Sequence, residues 1–259
     1  MADAYEQLAP YYDQLHAELT ADVAFILALA EELGGPILEV GCGTGRLLLP
    51  LARAERRVTG LDRSPAMLRR AHARLQAEGA AVAERVNLLQ ADAVRLPLVG
   101  DRYRFLLIPY NTFLHLPPRD AVAACRALRR SAHPAGRLFL DLANPFVIDQ
   151  TPSDRFLTLE RSLHDEASDE IVLVLASNAL DQTAQVLTIT WIYDRMPAGG
   201  GAVNRSVIPI RYHYYYPHQL QLILAESGWQ LEAMYGDYDG TAFDEASERL
   251  LLLARPTPS

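Results

Sequence analysis

The stretch Ile37-Leu38-Glu39-Val40-Gly41-Cys42-Gly43-Thr44-Gly45 decides the fold. Its first four residues form a short, mostly apolar run of the length of a buried strand. Three glycines at alternate positions follow. They let the backbone turn tightly and let a ligand approach with no Cβ in the way. A helix is predicted next, over about residues 45–54, and the first amides of a helix have no partner within it. The spacing separates two ligand chemistries. A turn that seats a pyrophosphate reads G-x-G-x-x-G. Here Arg46 stands where that last glycine belongs, and the third glycine falls one residue earlier, at Gly45.

The same rhythm extends in both directions. Upstream, Thr20 and Asp22 suit a helix start, and Val23, Ile26, Leu27, Ala30 and Leu33 recur at helical spacing before Gly34-Gly35. Downstream, short strands are predicted at 57–61, 86–90, 104–108 and 136–143. Ser64-Pro65 opens one intervening helix and Pro117-Pro118 another. Short apolar strands alternating with helices imply a parallel sheet covered on both faces. Ligands of such sheets bind beyond the carboxyl ends of the strands.

After Pro145 the alternation stops. Residues 155–164, 171–178, 185–195 and 204–216 read as four strands with no helix between them. The expectation is an antiparallel cap over 148–217, inserted into a domain formed by 1–147 and 218–259. A helix from Pro217, a strand from Trp229 to Tyr235 and a last strand rich in Leu250 to Leu253 then resume the first domain.

Together, Glu39 with Gly41, Gly43 and Gly45, Asp62 ending the second strand, and Asp92 ending the third resemble the motifs of class I S-adenosylmethionine-dependent methyltransferases. The resemblance covers about 1–145 and 217–259. It implies a Rossmann-like, mostly parallel α/β sheet with a C-terminal antiparallel hairpin, here carrying the β cap. It also implies S-adenosylmethionine as cofactor, with the amino-acid end at the glycine turn. Asp62 would then accept from both ribose hydroxyls, as a carboxylate is able to do. Met67 would pack on the adenine, and Asp92 would lie near its amino group. Arg46, Arg63, Ala93, Pro109 and Asn111 flank these positions and complete the expected cofactor set. The leader Tyr5-Glu6-Gln7-Leu8-Ala9-Pro10-Tyr11-Tyr12-Asp13 resembles one in which tyrosines close over the cofactor, which adds Tyr5, Tyr11 and Tyr12.

Methyl transfer from a sulfonium needs an aligned, unprotonated nucleophile and little else. The segment Ile108-Pro109-Tyr110-Asn111-Thr112-Phe113-Leu114-His115 ends the fourth strand where such chemistry sits. Tyr110 and His115 are the catalytic candidates, His115 because an imidazole accepts a proton near neutral pH. DNA amino-methyltransferases resemble N-P-P-Y or D-P-P-Y here, and Ile108 and Tyr110 depart from both. In the cap, Leu187, Ile189, Trp191 and Tyr193 form one apolar stripe, while Ile208, Ile210, Tyr212, Tyr214 and Tyr216 form another. Trp191, Arg211, His213 and Tyr214 are the substrate-binding candidates. The placement of the insert resembles small-molecule N-methyltransferases.

Composition narrows the partners. Thirty-two acidic and 24 basic residues leave a net charge of −8, which disfavours a nucleic-acid partner. The sequence contains no lysine, so Schiff-base and P-loop lysine chemistry are excluded. Two cysteines, Cys42 and Cys125, provide neither a disulfide framework nor a cysteine-rich zinc site. No metal is expected. The acidic N-terminus lacks a signal-peptide core, no apolar run is long enough to span a membrane, and a cytoplasmic location is expected. The partner expected is a small-molecule acceptor, most naturally an amine, with a possible homodimer through the cap sheet. The competing readings are an O-methyltransferase or aminopropyl transferase on the same fold, and a non-catalytic cofactor-binding regulatory subunit.

Overall fold

The computed structural model describes residues 4–16, 18–97, 100, 102–153, 155–165 and 168–258, with Pro10 described in its backbone alone. Residues 1–3 of the acidic N-terminus lie outside these. The first half runs α1 (Ala4–Leu15), α2 (Ala21–Leu33), β1 (Ile37–Val40), α3 (Leu48–Arg53), β2 (Val58–Asp62), α4 (Pro65–Ala77), α5 (Ala80–Ala83), β3 (Val86–Gln90), β4 (Tyr103–Ile108), α6 (Pro118–Arg129) and β5 (Ala132–Ala143). Then come α7 (Pro145–Asp149), β6 (Thr158–Asp165), β7 (Glu170–Asp181), β8 (Val186–Pro197) and β9 (Asn204–His213). The chain closes with α8 (Pro217–Glu226), β10 (Trp229–Tyr235) and β11 (Arg249–Pro256).

The larger sheet has the order β10-β11-β5-β4-β1-β2-β3. Strands β1 to β5 pair in parallel, and β11 and β10 add an antiparallel edge. Successive side chains of a strand point to opposite faces, so two cores form. Leu106, Ile108, Leu138 and Leu140 pack with Cys125 and Leu128 of α6 and with Leu220 and Leu224 of α8. Phe105, Leu107 and Phe139 pack on the other face with Ile26 and Leu29 of α2 and Leu48 and Leu51 of α3. The near-continuous apolar character of β4 follows from burial on both faces.

The smaller sheet is antiparallel, in the order β6-β7-β8-β9. Its inner face carries Val172, Val174, Tyr193, Ile208 and Ile210, which pack on Leu8 and Tyr11 of α1. Helix α1 therefore lies between the smaller sheet and α4, to which Glu6 and Asp13 bind. Among the described residues, no helix is long and apolar enough to cross a membrane.

Three local expectations change. Helix α3 begins at Leu48 rather than near Gly45, because Gly43 and Gly45 hold left-handed φ values of 54° and 83° that a right-handed helix does not admit. Helix α7 was not predicted; Asn144 starts it by accepting from the Phe146 N–H at 3.0 Å. Strand β9 stops at His213, short of Tyr216. Tyr214 turns its hydroxyl to Asp149, donating at 2.8 Å, and the Tyr216 N–H donates to Gln219 at the start of α8. The alternation that paired Tyr212 with Tyr214 is thereby broken.

Candidate active site

The glycine turn is pinned to the end of β2. The Gly41 and Cys42 amides both donate to the Leu61 carbonyl, at 2.7 and 3.0 Å. Asp62 then accepts from the Gly43 amide at 2.9 Å and from the Ser64 amide at 2.8 Å. A Cβ on Gly41, whose φ is +74°, would lie 2.3 Å from Cγ2 of Thr112, so only glycine fits there. One strand further, Asp92 accepts from the Val94 amide at 2.9 Å. Met67 is buried beneath these loops on α4, whose first turn is capped by the Ser64 hydroxyl. Glu39 is buried behind the turn, and its Oε2 has no hydrogen-bond partner among the described residues. Burial pushes its carboxyl up to about 8, with Arg46 opposing the rise and Asp22 and Asp62 adding to it.

At the end of β4 the backbone is strained. Tyr110 and Asn111 both take left-handed conformations, with φ of 43° and 64°. Such strain persists only where the surroundings impose it, and β5 and β11 do so here. Asp141 accepts from the Tyr110 amide at 2.9 Å, and Asn111 Oδ1 accepts from the Ala143 amide at 2.6 Å. Buried Asp141 also pairs with Arg249 and accepts from the Tyr238 hydroxyl at 3.0 Å. The Tyr110 ring sits near two guanidinium groups, with Arg46 at 5.7 Å and Arg249 at 5.4 Å. Its hydroxyl is pushed up by burial, against the pull of both arginines.

Helix α1 completes the site from above. The Tyr5 hydroxyl and His115 Nε2 are hydrogen-bonded at 2.7 Å, and the imidazole tautomer decides which of them donates. Tyr12 stacks on His16 at 4.1 Å. Burial raises the pKa of Tyr5 and Tyr12 and pushes Tyr212 up to about 12; it lowers that of His16. Two carboxylates tie the helix down. Glu6 accepts from the Ala66 amide at 2.9 Å, and Asp13 accepts from the Thr44 hydroxyl at 2.6 Å.

These elements enclose a cavity of about 840 Å³ between the carboxyl ends of β1 to β4 and the smaller sheet. Of the residues expected from sequence, it is lined by Tyr5, Tyr12, Gly41, Gly43, Asp62, Arg63, Met67, Asp92, Ala93, Tyr110, Asn111, His115, Trp191 and Arg211. Six others stand off its wall. Tyr11 stacks on Tyr193 at 4.7 Å within the packing of α1 on the smaller sheet. The Arg46 guanidinium is held by both carboxylate oxygens of buried Asp22, at 2.6 Å each. Gly45 abuts Ala71 of α4, which a Cβ would meet at 3.5 Å. Pro109 is buried at the end of β4. His213 and Tyr214 border a separate groove beside α6 and α8. Sequence reasoning missed His16, Glu6 and Asp13. The two carboxylates lie seven apart on one helix face, the spacing of a tethered surface, and that signal was available.

The residues present fit an adenosyl sulfonium cofactor. Glycines clear the space at the end of β1, a carboxylate stands one strand over for a vicinal diol, and an apolar thioether lies below for a base. Among the described residues, no group of three or more His, Cys, Asp or Glu is placed to hold a metal ion.

Residues 37–136 match the model of a methyltransferase domain family. The chain is 30% identical over 186 residues to the carboxy-S-adenosyl-L-methionine synthase of Wolinella succinogenes, covering 69% of this chain and 72% of that one. The CcbJ methyltransferase of Streptomyces caelestis shares the fold with a TM-score of 0.83 at 23% identity, covering 98% of both chains. The sugar N-methyltransferase KedS8 of Streptoalloteichus does so with a TM-score of 0.74 at 19% identity, covering 95% of this chain and 93% of that one. Family model, long-range relative and fold agree with the glycine turn and its acidic neighbours: the chain belongs to the class I S-adenosylmethionine-dependent methyltransferases, enzymes whose cofactor is S-adenosylmethionine.

Proposed function

We propose that the protein methylates the amine nitrogen of a small molecule held between the two sheets, with residues 148–217 acting as the cap over the acceptor. The observation that carries this reading is the Tyr5–His115 contact inside the cavity. The bound cofactor supplies a methyl group already activated on sulfur. Gly41 and Gly43 would leave room for its amino-acid end, Asp62 would accept from the ribose diol, and Met67, Asp92 and Ala93 would meet the base.

The acceptor side must then present a lone pair and exclude water. An amine is mostly protonated at neutral pH, so a proton has to leave before nitrogen attacks. His115 is the proposed acceptor of that proton, since an imidazole is the side chain that ordinarily titrates in this range. The hydroxyls of Tyr5, Tyr12 and Tyr212 are pushed up by burial. They therefore stay neutral and offer hydrogen bonds rather than charge. Tyr110 forms a fixed wall between its two arginines. Likeness in fold to a sugar N-methyltransferase supports nitrogen as the acceptor atom.

The test is transfer of labelled methyl to a panel of small amines and matched alcohols. His115→Gln is expected to lower turnover about a hundredfold, with affinity for S-adenosylhomocysteine unchanged. Tyr5→Phe is expected to act in the same direction and more weakly. Turnover that His115→Gln leaves intact, or transfer only to alcohols, contradicts the reading.

A further inference from the structure

From the walls of the acceptor side, we infer that the acceptor carries its amine on an apolar body, aliphatic or aromatic, and is not an amino sugar or a zwitterion. This rests on the reading of the cavity as the site of amine methylation. The cavity is chemically lopsided. Its cap-side wall is built from Val174, Leu187, Ile189, Trp191 and Ile210, with Ile148 of α7 beside them. Val174, Leu187 and Ile210 are buried, while Ile189 and Trp191 are half-buried and open toward the cavity.

Most of the polar groups gather at the other end; at the Val174 end the lining adds one tyrosine, Tyr193, which lies opposite Val174. Tyr5, Tyr12, Tyr212 and His115 surround the place where the leader meets the β4 turn. Among the described residues, the charged side chains that the smaller sheet contributes to the cavity are Glu160, Arg161 and Arg211, and all three are exposed at its rim. A polyhydroxylated or zwitterionic acceptor would set several polar groups against aliphatic side chains with no partner. Each such burial is unfavourable. An acceptor with an amine at one end and hydrocarbon at the other matches both ends of the wall at once.

The alternation of the strands explains why the wall is apolar. Leu187, Ile189 and Trp191 are alternate residues of β8 and share its inner face. Ile210 of β9 lies opposite Ile189, and Ile208 lies opposite Trp191. The stripe is one continuous surface and extends away from His115 toward Val174.

The experiment is calorimetric binding to the full chain saturated with S-adenosylhomocysteine. The probes are primary n-alkylamines from ethyl to hexyl and the matched n-alcohols, with glycine and glucosamine as polar references. Affinity in the amine series is expected to rise about threefold to fourfold per added methylene. Trp191→Ala and Ile189→Thr are expected to flatten that rise while leaving the affinity for S-adenosylhomocysteine unchanged. A flat series with both amines and alcohols, or tighter binding of glycine or glucosamine than of hexylamine, overturns the apolar acceptor. A rise confined to the alcohols overturns amine methylation and leaves the apolar wall standing. Rising amine affinity that neither variant alters places the hydrocarbon elsewhere and also overturns the inference.

Discussion

The two ends of the cavity are built by opposite means. The end proposed for the cofactor comes from one stretch of chain, residues 37–93, and is held in place largely through backbone. Gly41, Cys42 and Gly43 are fixed by hydrogen bonds to Leu61 and Asp62, and parallel pairing of β1, β2 and β3 sets their spacing. The acceptor end draws on α1, the β4 turn, α7 and the smaller sheet, which are far apart in sequence, and it works through side chains. A side-chain wall changes with each substitution. On the proposed reading, the difference teaches that the cofactor end depends on local geometry and the acceptor end on packing between distant segments.

The seam between the two ends is the strained turn at Tyr110 and Asn111, and its failure is expected to have the largest effect. Arg249→Ala leaves buried Asp141 without its cation and removes one partner of Asn111. A loss of about 3–5 kcal/mol in stability is expected by chemical denaturation. A loss below 1 kcal/mol would show that the turn does not depend on this pair.

Asp62→Ala breaks one end alone. Binding of S-adenosylhomocysteine should weaken by about 1.5–3 kcal/mol, the scale of hydrogen bonds to a charged group, and calorimetry measures it. An unchanged dissociation constant would mean that Asp62 serves only to hold the Gly43 and Ser64 amides.

Glu39 gives the cofactor end a pH dependence. Its carboxyl ordinarily titrates at 4.5 and is pushed up to about 8 in the fold. Below 4.5 the folded and unfolded chains both hold the proton. Between 4.5 and 8 the folded chain alone holds it, so stability falls as pH rises, with a slope of about 1.4 kcal/mol per pH unit at most. Above 8 the contribution is flat. Glu39→Gln should remove this slope in thermal melts across that range, and a variant that keeps the slope assigns it to another group.

The smallest effect belongs to the leader. Tyr11→Leu keeps apolar bulk and loses the stack on Tyr193, an expected 0.5–1.5 kcal/mol of stability. Affinity for S-adenosylhomocysteine should not change. A change in that affinity with melting unaffected would return Tyr11 to the cofactor.

The same contrast explains what could be read from sequence. That Gly41, Asp62, Asp92 and Met67 share one cavity wall was legible because each follows a strand or a cap whose position local pattern fixes. Strand–helix alternation gave the parallel sheet, and its loss after Pro145 gave the second one. Arg46 was misplaced because its partner Asp22 lies on a helix formed earlier in the chain, and pairing across that distance leaves no local mark. Tyr214 was misplaced because β9 ends one residue before it, so an alternation counted past the end of the strand assigned the wrong face. Tyr11 and Tyr12 are adjacent on a helix and therefore point in different directions, one into packing and one into the cavity.

The central claim is that one cavity joins a backbone-built cofactor end to an acceptor end closed by the leader and the smaller sheet. A crystal structure grown with S-adenosylhomocysteine and hexylamine tests it most directly. The account predicts the ribose hydroxyls on Asp62, the amine nitrogen beside Tyr5 and His115, and the alkyl chain along Ile189 and Trp191. An amine bound instead in the groove beside α6 and α8, or a nucleoside seated away from Asp62 and Gly43, would contradict it.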